Sequence, residues 1–310
     1  MSRTQEATGS GAVAVHDPVA ASGSAAAQED PRPVVVLGAA GKTGRAVAAA
    51  LTARGVPVRA AVRAGRESAA LPGAEPVVVD LVTGTGLDSA FTGARAAYHL
   101  APNVHPDEVA MAQRVAEAAT AAGLPHLTFH SVLHPHDARM PHHVRKGEAE
   151  AVLRRGVPGS LVVLRPSAYH QNLLVAALTG EIAVPYSLEA PFTTVDLADV
   201  ADAAAVVLLD PSRDGEAHDL CGPEVLTTAR MAEVAAEVLG RPVTARRVDV
   251  AEWRAGPGAG LSPQARDVLA AMFAAYDDGG LVGDPAALTT LLGRRLTTWA
   301  QALTRTDTDR

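Results

Sequence analysis

The stretch Val34-Val35-Val36-Leu37-Gly38-Ala39-Ala40-Gly41-Lys42-Thr43-Gly44-Arg45 constrains the fold of this chain more than any other. Four apolar residues in a row suit a strand buried on both faces. Three glycines follow at G-x-x-G-x-x-G spacing, and an alanine-rich helical segment runs from Arg45 to Arg54. A strand, a tight turn and a helix start in that order form a phosphate cradle. Gly38 permits the turn, Gly41 lets a pyrophosphate approach the backbone, and Gly44 lets the helix pack close to the strand. The free N–H groups and the helix dipole then favour an anion beside Lys42 and Thr43. The plainer alternative is a glycine turn with no ligand, but the flanking strand and helix favour a dinucleotide site.

An NAD site usually places an acid about 20 residues past the glycines, where it accepts from the ribose 2′-hydroxyl. Here the second apolar run, Pro57 to Val62, ends at Arg63, with Arg66 close behind and no acid before Glu67. Lys42 adds a cation inside the glycine loop itself. Arginine grips a phosphate with two parallel charge-assisted bonds, so NADP(H) is favoured over NAD(H). Arg59 and Arg66 also fit a solvated loop.

Apolar runs at 33–37, 58–62, 76–79, 96–100, 126–130 and 161–165 alternate with helical patterns near 45–54, 87–92, 107–121 and 143–155. That rhythm predicts an α/β fold with a doubly wound parallel Rossmann sheet. Ligands of such sheets bind beyond the C-terminal strand ends, where Gly38, Arg63, Asp80, Ala101, Ser131 and Pro166 fall. Past Pro166 the rhythm loosens. Helices are expected near 169–178, 197–209 and 227–239, strands near 193–195, 217–220 and 243–248, and a mostly helical end. We assign 32–165 to an NADP-binding Rossmann domain. Residues 166–310 form a smaller C-terminal α/β substrate lobe, partly interleaved with it.

Residues 1–31 are rich in Ala, Ser and Gly without a usable apolar period, which predicts a disordered tail. They lack the basic start and apolar run of a signal peptide, and no apolar stretch reaches membrane-spanning length. A net charge of −7 disfavours a nucleic-acid backbone as partner. The lone cysteine, Cys221, precludes an intrachain disulfide and suits a reducing compartment; as a side chain it reads as a small buried residue rather than a nucleophile. A cytoplasmic protein with a small-molecule substrate is expected, and no sequence signal speaks to its oligomeric state.

Further motifs lie along this frame in a familiar order. Val79-Asp80-Leu81 follows the basic strand end. Then come Ala116-Glu117-Ala118-Ala119 with Ala122-Gly123, and His130-Ser131. Pro141-His142-His143-Val144-Arg145-Lys146 and Arg165-Pro166-Ser167-Ala168-Tyr169-His170-Gln171-Asn172-Leu173 follow. Val195-Asp196-Leu197-Ala198-Asp199-Val200-Ala201 closes the set. With the glycine loop, these make residues 33–250 resemble the NmrA-like branch of the atypical short-chain dehydrogenase/reductase family. That family contains NADPH-dependent quinone and dye reductases and also NADP-binding regulators without turnover. The resemblance implies that Asp80 and Leu81 contact adenine and that Lys146 anchors the nicotinamide ribose. It also implies that the loop holding His134 and His136, and the segment holding Tyr169 and Asn172, line the substrate pocket.

The departure from the wider family is informative. Its reductases pair a tyrosine with a lysine four residues on, and add a serine. Here His142 stands where tyrosine is expected, Lys146 keeps its place, and Ser131 can hydrogen-bond a substrate oxygen. Residues i and i+4 share one helix face. The nearby lysine disfavours an imidazolium, so His142 is expected to be neutral and a weak proton source, a polar lining more than an acid. Six of the eleven histidines lie between His126 and His143. Their spacing matches no common metal pattern, so no metal is assigned. No G-x-S-x-G element supports hydrolase chemistry.

The favoured reading is an NAD(P)H-dependent oxidoreductase acting on a quinone, enone or similar conjugated acceptor, in bacterial specialised metabolism. Such acceptors delocalise the arriving charge and need less help from an acid. The alternatives are an NADP(H)-sensing regulator without turnover, and a cyclase or isomerase that keeps the fold and uses His142 for proton transfer.

Overall fold

A computed structural model describes residues 30–308. The tail expected over 1–31 thus lies outside the described residues, apart from Asp30 and Pro31.

The apolar runs become β1 (Val34–Leu37), β2 (Val58–Val62), β3 (Glu75–Val78), β4 (Ala96–His99), β5 (His126–His130) and β6 (Ser160–Pro166), joined by β9 (Ala217–Leu220). They form one seven-stranded sheet in the order β3-β2-β1-β4-β5-β6-β9, and every pairing is parallel. Side chains alternate across a strand, and β1 is apolar on both faces. Val34 and Val36 pack with Val47 and Leu51 of α1 (Lys42–Thr52), with α6 (Leu197–Leu208), and with Leu288 of α10 (Ala286–Leu292). Val35 and Leu37 face α2 (Leu87–Phe91), α3 (Glu108–Ala122) and α4 (Pro141–Gly156). Burying each such side chain stabilises the fold by about 1.5–3 kcal/mol. Strand order reverses between β1 and β4, which opens a crevice at the C-terminal strand ends.

Helix α1 begins at Lys42, three residues before the expected Arg45, because the Arg45 N–H already bonds the Gly41 carbonyl at 2.9 Å. The glycine loop is tight. Gly38 has φ +72°, and a Cβ on Gly44 would lie 2.3 Å from the Gly38 carbonyl oxygen.

A second core joins α5 (Leu174–Thr179), β7 (Glu181–Val184), β8 (Pro191–Phe192), β10 (Leu226–Thr227), α7 (Thr228–Leu239), β11 (Thr244–Arg247), α8 (Val250–Ala255), α9 (Pro263–Asp277) and α11 (Trp299–Thr308). Strand β7 pairs parallel with β11, and β8 antiparallel with β10. The single helix expected over 169–178 is instead a short 3₁₀ turn at His170–Asn172 followed by α5. Tyr169 is held extended by a bridge to Val195, so the helix cannot start there. The strand expected at 193–195 is that isolated bridge, with β8 just before it. Helices α6 and α10 and strand β9 all lie beyond residue 166 yet pack in the layers of the large sheet.

Candidate functional site

A cleft of about 680 Å³ opens at the C-terminal ends of the sheet. Gly38, Gly41, Lys42 and Thr43 form its floor. No side chain caps the N-terminus of α1, and no acid lies in its first turn. Side chains cap α6, α7, α8 and α9 (Asp196, Thr227, Asp249 and Ser262), whereas α2, α3, α4, α5 and α10 share the lack of a cap; α1 differs from these in opening onto the glycine loop of the cleft. The first-turn donors of α1 therefore face the cleft unanswered, which suits a phosphate. Gly44 does not line the cleft; its role is the close approach to Gly38.

Arg63 and Arg66 lie at one end of the cleft, and both are exposed. Among the described residues, neither guanidinium has a hydrogen-bond or ion-pair partner. Arg59 differs: it reaches Glu75 at 3.3 Å and donates to the Ala90 carbonyl at 2.7 Å, so it ties β2 to its neighbours. Asp80, Leu81 and Ala101 complete this end. One Asp80 oxygen accepts the Val82 N–H at 2.8 Å and shapes the loop. Lys42 turns away from the arginines. It donates to Asn172 Oδ1 at 3.0 Å and sits 5.5 Å over the Tyr169 ring.

At the inner end, the i, i+4 spacing on α4 places His142 and Lys146 together in the cleft wall. A third group joins them that the sequence did not announce. Glu108, the first residue of α3, is wholly buried, and its Oε1 lies 2.6 Å from Lys146 Nζ. Lys146 also donates to the His130 carbonyl at 3.0 Å. His142 Nδ1 is 4.0 Å from Glu108 Oε2 and has no hydrogen-bond partner. Burial first, and Lys146 second, push the His142 pKa down to about 3, so the imidazole is neutral at pH 7. The sequence pointed only to the lysine; burial is the larger cause.

Ser131 is engaged within the protein. Its hydroxyl donates to Glu150 Oε1 at 2.5 Å, and Glu150 is clamped by Arg165 at 2.9 Å. A serine has one O–H, so with that bond in place Ser131 can accept a bond in the cleft but has no hydrogen left to donate.

Tyr169 and Asn172 line the cleft, whereas His134 does not. His134 adopts φ +55°, and its Nε2 bonds the Val282 carbonyl at 2.8 Å. That backbone contact points it into a shallower hollow shared with His136 and Asp137. The opposite wall is apolar and comes from Leu269, Met272 and Tyr276 of α9 and from Leu281. None of these was marked from the sequence, because helix α9 carries no motif. A period of apolar residues tells which face is covered, not what covers it.

Among the described residues, no group of three or more His, Cys, Asp or Glu side chains is placed to hold a metal ion. Nor is any described helix long and apolar enough to cross a membrane. Cys221 is buried, and burial pushes its thiol up to about 11, which makes it a poor nucleophile.

Comparison with known proteins agrees with this architecture. The model of the NmrA-like family matches residues 31–300. A (4-alkanoyl-5-oxo-2,5-dihydrofuran-3-yl)methyl phosphate reductase from Streptomyces griseus is 32% identical over 219 residues, 68% of this chain and 75% of that protein. Quinone oxidoreductase 2 from Escherichia coli is 28% identical over 266 residues, 83% of this chain and 85% of the relative. The crystal structure of an NADPH-dependent quinone oxidoreductase from Escherichia coli, complexed with NADPH, superposes with a TM-score of 0.76 at 24% identity. It covers 88% of this chain and 99% of its own. Glycine cradle, doubly wound sheet and matched length together place the chain in the NmrA-like family.

Proposed function

We propose that this chain is an NADP(H)-dependent oxidoreductase that reduces small conjugated acceptors, with quinones and enones as the class. The observation that carries the reading is the paired, unpartnered guanidiniums of Arg63 and Arg66 in one cleft with the uncapped start of α1. The α1 N-terminus would hold the pyrophosphate and the arginines the 2′-phosphate, with Asp80 and Leu81 beside the adenine. The reductase relatives support the chemistry. Reduced NADP supplies a hydride when bound.

The residues around the acceptor do the rest. The apolar wall of Leu269, Met272 and Leu281 suits a flat, uncharged ring and displaces water from it. Lys146 has three N–H groups; one donates to the His130 carbonyl while the ammonium pairs in charge with Glu108, so an N–H remains for the cofactor ribose. His142, neutral and buried, lines the pocket. A conjugated acceptor spreads the arriving charge, so an imidazolium at position 142 is not required.

Calorimetric titration tests the cofactor. NADPH is expected to bind more tightly than NADH. Arg63→Ala should weaken NADPH by about tenfold or more, roughly 1.5–3 kcal/mol, and leave NADH nearly unchanged. Equal losses for both cofactors would refute the 2′-phosphate assignment. NADPH oxidation against a panel of quinones and enones tests the reaction. Tight binding without turnover would make the chain a redox-sensing regulator. Product formation without cofactor oxidation would make it a non-redox enzyme.

A further inference from the structure

Tyr98, His130 and Tyr169 form a row of hydrogen bonds from the middle of the sheet to the cleft. Tyr98, on β4, is fully buried, and its hydroxyl meets His130 Nδ1 at the end of β5. His130 Nε2 lies 2.9 Å from the Tyr169 hydroxyl. Tyr169 lines the cleft.

The row has a direction. Burial, with Lys146 and His99 adding to it, holds the His130 pKa down to about 3, so the ring is neutral, with one N–H and one lone pair. Suppose that the proton sat on Nδ1. Tyr98 oxygen would accept it, and the Tyr98 hydrogen would have no acceptor among the described residues. Buried donors are satisfied in folded proteins, which disfavours that arrangement. With the proton on Nε2, Tyr98 donates to Nδ1, and Nε2–H donates to the Tyr169 oxygen. Every buried group is then paired, and the Tyr169 hydrogen is left to turn elsewhere. Thr43 and Tyr169 both line the cleft.

We propose that Tyr169 donates the hydrogen bond and the proton to the acceptor oxygen that position 142 cannot, and that His130 and Tyr98 are positioning residues fixing its direction. This rests on the oxidoreductase reading, in which the hydride and its electron pair come from reduced NADP. The acceptor is reduced, its π pair moves onto oxygen, and negative charge develops there. The Tyr169 O–H bond breaks as the acceptor O–H bond forms, and the phenolate regains a proton from water at the cleft mouth. Donors aimed at a developing oxyanion act strongly where water is excluded. Burial raises both phenols above the ordinary value, so both are protonated at rest; what separates them is place, since Tyr169 lines the cleft and Tyr98 does not. Tyr98 is a fixed donor at the end of the row.

Three measurements test this. Tyr169→Phe keeps the ring and should lower kcat for an enone or quinone by about 10²-fold, with NADPH affinity by calorimetry within threefold. Its solvent deuterium isotope effect on kcat should vanish. Nitrogen-15 NMR of the histidine-labelled protein without cofactor should show His130 protonated on Nε2, its signals assigned by their loss in His130→Gln. In Tyr98→Phe, the same ring should become a mixture of tautomers while KM stays near wild type. A Tyr169→Phe rate within twofold of wild type, or a His130 protonated on Nδ1, overturns the proposal and leaves the oxidoreductase reading standing. A wild-type protein that turns over no acceptor overturns both.

Discussion

At the scale of single residues, the cleft separates cation from proton. Position 142 carries a histidine whose surroundings strip it of its usual behaviour near neutrality. Burial and Lys146 hold it neutral far below pH 7, and its Nδ1 has no partner. Such a ring is a polar surface rather than an acid. His142→Phe is therefore expected to leave single-turnover NADPH oxidation by a quinone within about tenfold of wild type, since a true general acid contributes roughly 10²–10⁴-fold. A rate lower by two orders of magnitude at saturating cofactor would make His142 the acid after all. The sequence exposed the identity of this residue and its lysine neighbour. It did not expose Glu108, because an acid at a helix start is usually a solvated first-turn residue. Only the packing of α3 on α4 turns that acid inward.

At the scale of elements, legibility followed periodicity and length. Strands β1, β2, β4, β5 and β6, with helices α3, α4, α6 and α7, lie within a few residues of the expected ranges, because their apolar runs are long and their boundaries marked. Strand β7 escaped notice. Four residues, Glu181–Val184, are too few to establish a period, and its partner β11 lies 60 residues away in sequence, by about that count. Helix α3 packs along α4, which lines the cleft, and the Glu108–Lys146 ion pair joins the two helices. Breaking a buried pair from one side leaves a charge without compensation. Glu108→Gln should cost about 3–5 kcal/mol in urea unfolding, and Glu108→Gln with Lys146→Met should recover part of that loss. Stability of the single variant within about 1 kcal/mol of wild type would show that water reaches the pair.

At the scale of the whole molecule, the histidines set an acid limit. His99, His130 and His142 are each held to a pKa of about 3 by burial first, with Lys146 as a second cause. In the unfolded chain each returns to about 6.5. Between those values, the unfolded state binds protons that the folded state refuses. Their contribution is therefore fully present above about pH 6.5 and lost as pH falls, by up to ~1.4 kcal/mol per pH unit for each histidine. Urea unfolding at pH 7, 6 and 5 should show stability falling ever more steeply. A flat profile would mean that these rings take up protons in the folded state.

The apolar wall of the cleft is contributed by residues 269–281, whereas the glycine loop, Arg63 and Arg66 all lie before residue 67. Chains emerge from the ribosome N-terminus first, at roughly 5–20 residues per second. The nascent protein thus carries the glycine loop and its arginines for about ten seconds or more before α9 is made. The apolar wall of the cleft is therefore made long after the glycine loop, and so are α6 and α10, which pack on the strand that carries that loop.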